Sequence, residues 1–243
     1  MGQMNNGMPM PKNLKKKMAN VALIVGESGT GKSTSVKNLD PKITYLINGA
    51  GKPLPFKGSE DMYKVGTNLT QSSNAPAIVA VLEAIDKQAL HIKNVVIDDS
   101  GFVMTDMFFA KAQETGYAKF TQLAQAYQSI LAKAKTMRSD LNIAIMMHEE
   151  NEVSNGIIVG KKQKTIGKLL DDQYNPLSVV TIALFTSVDY DDKGNPTFTF
   201  ITNRCKKDGI VIPAKSPAGM FKELKIPNDL QLVFSAAREY YKS

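Results

Sequence analysis

Short apolar runs bounded by turn residues recur along the first two thirds of the chain: Val21–Val25, Ile43–Ile47, Val95–Ile97 and Ile143–Met147. Runs of this length, rich in β-branched residues, read as strands buried on both faces, as in a parallel sheet. Between them the spacing changes to three and four. Ile78, Val81, Leu82 and Ile85 share one helical face, with Ser73-Asn74-Ala75-Pro76 supplying a cap and an early proline. Phe120, Leu123, Ala124, Tyr127, Ile130, Leu131 and Ala134 form the stripe of a longer helix. Further on, Val179–Val188 and Thr197–Thr202 read as strands joined at Asp191-Asp192-Lys193-Gly194-Asn195, a hairpin turn. Asn228 is expected to cap a last helix, Asp229–Tyr241. Asn48–Gly58 reads as an irregular loop, and 151–172 as a polar, glycine-punctuated, basic loop. The order predicts an α/β fold: a mainly parallel sheet flanked by helices, with antiparallel strands added on the C-terminal side. Residues 1–18, lacking apolar periodicity, are expected to be a flexible basic leader to one domain over 19–243.

The first apolar run leads into Gly26-Glu27-Ser28-Gly29-Thr30-Gly31-Lys32-Ser33, then Thr34. This is G-x-x-x-x-G-K-[ST] between a strand and an expected helix starting near Lys32. Glycines at these positions let successive N–H groups turn inward on a phosphate, and a helix N-terminus adds its positive end. Gly26, Ser28, Gly29, Thr30, Gly31, Lys32, Ser33 and Thr34 are the expected nucleotide-binding residues. Lys32 is expected to reach the β- and γ-phosphates and the Ser33 hydroxyl to bind Mg²⁺.

Ligands of such sheets sit at the carboxyl ends of the strands. The phosphate loop, Asn48, Asp98 and Asp99, and His148 and Glu149 all fall there, which predicts one crevice. Asp98 ends an apolar strand and is expected to hold Mg²⁺ largely through water. Asp99 is read as a candidate to orient or deprotonate water, against the alternative of a turn carboxylate before Ser100-Gly101. A neutral His148 at a strand end is able to donate to a phosphate oxygen and relay its presence onward; the alternative is a structural, hydrogen-bonded histidine.

Composition narrows the setting. The net charge of +7 is local: Lys12, Lys15, Lys16 and Lys17 contribute +4, and Lys161, Lys162, Lys164 and Lys168 another +4. Local basic segments suit a polyanion, and the second is a candidate to track a nucleic-acid backbone. Lys168 or Arg204 is alternatively placed to reach a neighbouring subunit's phosphate. The remaining reading of the lysine segment is a solvated loop. The lone Cys205 forms no intrachain disulfide, which fits a reducing cytoplasm. No apolar run reaches membrane-spanning length, and no signal-type segment is read at the N-terminus.

Taken together, Gly26–Ser33, Val95–Asp99, Ile145–Glu149 with its strand-end histidine, Lys164-Thr165-Ile166-Gly167-Lys168 and Lys215-Ser216-Pro217-Ala218-Gly219-Met220-Phe221 resemble the RecA-like P-loop ATP-binding proteins of bacteriophage recombination modules. The resemblance runs from about Met18 to the C-terminus. It implies a RecA-like core and Mg²⁺-dependent ATP hydrolysis. It also implies action on single-stranded DNA beside a phage annealing or strand-binding protein, a homo-oligomer, and residence in the bacterial host cytoplasm. Such enzymes commonly carry a glutamate base after the second strand. Here that place reads Asn48-Gly49-Ala50-Gly51, so Asp99 and Glu149 are kept as candidate bases. A small-molecule kinase is disfavoured, since the three arginines, Arg138, Arg204 and Arg238, do not cluster as a mobile lid. A nucleotide-gated binding or assembly protein with little hydrolysis, including a packaging or virion-assembly ATPase, stays open.

Overall fold

The structure, a computed structural model, describes residues 18–242. The expected leader therefore lies outside the described residues, apart from Met18, which bridges to Arg138. In chain order the elements begin with β1 (Asn20–Gly26), a 3₁₀ turn (Ser33–Val36), β2 (Thr44–Asn48), α1 (Ser59–Met62) and β3 (Leu69–Gln71). Next come α2 (Ala75–Lys87), β4 (Asn94–Asp98), α3 (Phe102–Ala110), α4 (Ala118–Thr136), β5 (Asn142–Ser154) and β6 (Ile157–Gln163). A π-helical turn (Leu169–Tyr174) and a 3₁₀ turn (Pro176–Val179) lead to β7 (Ile182–Tyr190), β8 (Pro196–Ile201), β9 (Cys205–Lys207), β10 (Ile210–Ile212), β11 (Lys225–Pro227) and α5 (Leu230–Tyr240).

The main path of the sheet runs β11-β8-β7-β1-β5-β4-β2-β3. Strands β7, β1, β5, β4, β2 and β3 are parallel to their neighbours, while β8 and β11 add antiparallel pairs on one side. This is the expected α/β architecture, mostly parallel and mixed at one edge. Along β1 the side chains alternate between two cores. Val21, Leu23 and Val25 face the layer of α2, α3 and α4, with Ile78, Leu82, Leu123, Tyr127 and Ile130. Ala22 and Ile24 face the opposite layer, where Val36 and Leu39 meet Leu230, Val233 and Phe234 of α5. Burial on both faces is why the central strands are continuously apolar.

Three local expectations are corrected. No α-helix follows the phosphate loop: Ser33–Val36 is a single 3₁₀ turn, closed by Lys37 N–H to Thr34 O at 3.1 Å and Leu39 N–H to Val36 O at 3.0 Å. Ser35 Oγ bonds back to Lys32 O, and Pro41 bars a helical Asp40, so the helix has little room to propagate. The segment 151–172 is irregular only in part, at 164–167. Strand β5 runs on past the sheet and returns as antiparallel β6, turning at Asn155-Gly156, both left-handed, as a two-residue primed turn requires. The cap of α5 is Asp229, whose carboxylate accepts from Gln231 N–H, not Asn228. Asn74 does cap α2, with Pro76 in its first turn.

Candidate functional site

Parallel register places the chemistry. Gly26 at the end of β1 is paired with His148 on β5, and Asn48 at the end of β2 with Asp98 on β4. Because β5 lies between β1 and β4, His148 stands between the phosphate loop and the two aspartates. The expected crevice is found in part: Ser28, Gly29, Gly31, Lys32, Ser33, Thr34, Asp99 and His148 line one cavity of about 730 Å³, whereas Asn48, Asp98 and Glu149 do not line it.

The loop is held in shape from outside. Thr30 Oγ1 donates to Glu27 O at 2.8 Å and meets Thr186 Oγ1 of β7 at 2.6 Å. Gly31 has φ +90°, a conformation that favours glycine, and a Cβ there would lie 2.1 Å from Asn228 Nδ2 and push that side chain aside. Asn228 Nδ2 in turn reaches Thr30 O at 3.4 Å. Lys32 is buried, and its ammonium donates to Gly26 O at 2.8 Å and Glu27 O at 2.7 Å. Burial lowers its pKa, a pull opposed by the charges of Asp99 and Asp98. The loop thus carries a buried cation and two left-handed glycines, Gly29 and Gly31, a backbone form from which an anion cradle is made. With only a 3₁₀ turn behind it, the helix-dipole contribution expected there is largely missing.

Asp98 is 2% exposed, and burial pushes its pKa up, a pull that the nearby Ser33 hydroxyl opposes. A hydroxyl and a desolvated carboxylate side by side fit Mg²⁺, which takes one or two protein oxygens and fills the rest with water and phosphate. Ser33 and Asp98 would be those ligands, and the ion would repay the burial of the Asp98 charge. Among the described residues no group of three or more His, Cys, Asp or Glu gathers to hold a metal alone.

Asp99, at φ +50°, turns its carboxylate the other way. One oxygen lies 3.4 Å from His148 Nε2 and the other 2.6 Å from Lys52 Nζ. Burial raises its pKa, but the contacts with His148 and Lys52 outweigh this and hold it at about 2. Glu149 points away from the cavity to Lys161, 2.7 Å distant, and Lys161 also holds Glu27 of the phosphate loop at 2.9 Å. Burial raises the Glu149 pKa and the Lys161 contact opposes it. Asp99 and His148 are therefore brought together, whereas Glu149 is drawn off to the hairpin.

The basic segment divides. Lys161 and Lys162 lie on β6 and are paired, Lys162 with Glu150 at 3.1 Å and Asp171 at 2.9 Å. Lys164 and Lys168 are exposed, as is Arg204 just before β9. The Lys164 backbone N–H donates to His148 O at 2.7 Å, a direct mechanical link from the strand-end histidine to this segment.

Sequence reasoning missed Lys52, Gly49, Thr186 and Asn228. A Gly-x-Gly-Lys stretch after β2 was the available signal for the first two; nothing local marks the others, which arrive from distant strands. Set against known proteins, the chain matches no protein-family model, and no curated protein matches it. Fold and site define a class: an α/β protein with a mostly parallel, mixed sheet and a glycine-rich loop at its carboxyl edge, compatible with a P-loop core. No helix among the described residues is long and apolar enough to cross a membrane.

Proposed function

We propose that the chain is a Mg²⁺-dependent ATP-binding protein with a RecA-like core that hydrolyses ATP in association with single-stranded DNA, in phage recombination or replication. The observation that carries the reading is the convergence of Lys32, Ser33, Asp99 and His148 on one cavity at the carboxyl ends of adjacent parallel strands, with Asp98 buried next to Asp99. In this reading Lys32 and the loop amides hold the β- and γ-phosphates. Ser33 and Asp98 hold Mg²⁺, which neutralises phosphate charge when bound. Asp99 orients the attacking water, and His148 donates to the γ-phosphate.

The DNA setting rests on the resemblance stated above and on exposed Lys164 and Lys168, tied through the Lys164 N–H to the His148 strand. A homo-oligomer in which Lys168 or Arg204 reaches a neighbour's nucleotide belongs to the same reading, as do a phage strand-annealing partner and the host cytoplasm. A second reading has its own support. Both candidate bases are engaged by lysines, Asp99 by Lys52 and Glu149 by Lys161, which suits a nucleotide-gated binding or assembly protein that turns over slowly.

The deciding experiment is the Mg·ATP hydrolysis rate with and without single-stranded DNA, with Lys32→Ala as the blank. DNA-stimulated turnover supports the first reading. Slow turnover indifferent to DNA, with ATP still bound, selects the second.

A further inference from the structure

We propose that Lys52 is a mobile cation that exchanges the Asp99 carboxylate for the terminal phosphate of a nucleoside triphosphate, so that the chain itself supplies the charge a trans-acting residue would otherwise bring. The inference rests on the phosphate-site reading above and goes beyond it by assigning a residue and a movement.

Four lysines near the crevice differ in what holds them. Lys32 is buried with its ammonium on two loop carbonyls. Lys161 is 19% exposed and clasped by two carboxylates, Glu27 and Glu149. Lys37 is exposed and lines the cavity together with Asn38 and Asp229. Lys52 alone is half-exposed, at 52%, has a single carboxylate partner, and lines the cavity together with His148 and Asp99. Its contact with Asp99 Oδ2 is close but not directed as a hydrogen bond, and that buried oxygen keeps an unfilled acceptor direction. A point charge on a flexible stem makes such a contact and leaves it readily.

The base of the stem is fixed while the stem is free. Buried Asn48 accepts from Gly51 N–H at 2.9 Å and donates to Lys52 O at 2.6 Å, so the backbone at Lys52 is tied to the end of β2. Gly49 N–H donates to Asp98 O at 2.9 Å, locking that loop over the aspartates. Electrostatics supplies the drive. A triphosphate carries about four negative charges; Mg²⁺ and Lys32 offset three, and Asp98 and Asp99 add two more. Lys52, half-exposed and lining the cavity with Asp99 and His148, is the cation on the aspartate side placed to respond. A diphosphate, ending one phosphate nearer the loop, leaves Lys52 on Asp99.

The test is equilibrium binding of a slowly hydrolysed ATP analogue, adenylyl-imidodiphosphate, and of ADP, both with Mg²⁺. It is run on the full chain and on Lys52→Met, Lys52→Arg, Asp99→Asn and Lys52→Met/Asp99→Asn, with thermal unfolding to confirm folding. Lys52→Met is expected to weaken the triphosphate analogue about tenfold and ADP less than about twofold, the scale of one charge-assisted contact. Lys52→Arg, which keeps the charge, retains most of the preference. Asp99→Asn tightens the triphosphate analogue, and this gain shrinks when Lys52 is already Met. If the parent prefers the triphosphate and Lys52→Met keeps that preference, the exchange is wrong and the phosphate site stands. If Asp99→Asn tightens binding equally in both backgrounds, the gain is only lost negative charge and the exchange is again wrong. If the folded parent binds neither compound, the phosphate-site reading fails and the exchange with it.

Discussion

Gly49 and Asp99 meet backbone to backbone: a methyl group on Gly49 would stand 2.6 Å from the Asp99 carbonyl oxygen. The loop after β2 crosses the turn after β4 at that point, and no flexible side chain is there to yield. Gly49→Ala is therefore expected to shift Asp99 and Lys52 together, costing about 1–3 kcal/mol of stability as an overpacked site does. It should also weaken nucleotide binding. Gly51→Ala is the comparison: open space surrounds it, and its φ of +67° costs only the left-handed penalty of about 1–2 kcal/mol. Urea unfolding and ATP binding on the two variants check this; equal binding by both would remove the crossing from the site.

Lys32→Ala removes the cavity-lining cation whose ammonium donates to the Gly26 and Glu27 carbonyls. The expected result is a folded protein whose melting temperature no longer rises with Mg·ATP. In the parent, ligand at a hundred times its Kd contributes about 2.7 kcal/mol of apparent stability. A persisting ATP-induced shift in the variant would place the nucleotide elsewhere.

On the proposed reading, Asp98, with Ser33, holds the metal. Replacing its buried carboxylate with Asp98→Asn keeps the shape and removes a desolvated charge, so the fold is expected to lose less than about 1 kcal/mol. What should vanish is the gain in ATP affinity on adding Mg²⁺, measured as the ratio of Kd values in Mg²⁺ and in EDTA. Ser33→Ala should reduce the same ratio. An unchanged ratio in both variants would move the metal off this pair.

How far the sequence carried depended on whether a signal was local. Val21–Val25, Val95–Ile97 and Ile143–Met147 announced buried parallel strands because both their faces are covered, and the residues after each strand therefore shared an edge. The glycine-rich turn after β1 was legible because its shape needs glycine at positions such as Gly29 and Gly31. The hairpin of β5 and β6 was not, since Glu149–Ser154 and Ile157–Gln163 leave the sheet and carry charge where a buried strand would be apolar. The missing helix after Lys32 turned on Ser35 and Pro41, a local competition that the P-loop pattern overrode in the reading. Lys52 and Asn228 become site residues only through the pairing of β2 with β4 and of β8 with β11.

Asp86 carries an acid-sensitive part of the stability. Burial raises its pKa, but the Arg138 backbone N–H at 2.8 Å and Lys133 at 3.2 Å outweigh this and hold it below the ordinary 3.8. A depressed carboxyl pKa stabilises the fold above the unfolded value and loses that contribution as pH falls through the folded one. Asp86→Asn is expected to cost about 1–2 kcal/mol at pH 7. The gap to the parent should close as the pH drops below 3.8. A gap that stays constant down the acid range would mean the ionised form does not matter.

The lysine segment separates into two experiments because two of its charges are already spent. Lys164 and Lys168 are exposed, so they are the members able to release counterions from a nucleic-acid backbone. The double variant Lys164→Ala/Lys168→Ala should weaken single-stranded DNA binding and lower the slope of log K against log salt by about 1–1.5, near 0.7 for each lost phosphate contact on a single strand. Lys161 holds Glu149 and Glu27 instead. Lys161→Ala should leave the salt slope within error while altering ATP binding, since it frees an acid on the phosphate loop and another beside His148. Salt titrations of DNA affinity and ATP binding on the same two proteins distinguish the roles. If Lys161→Ala flattens the slope and the Lys164/Lys168 pair does not, DNA lies along the strand face of β6 and its acids must give up Lys161 to the phosphates.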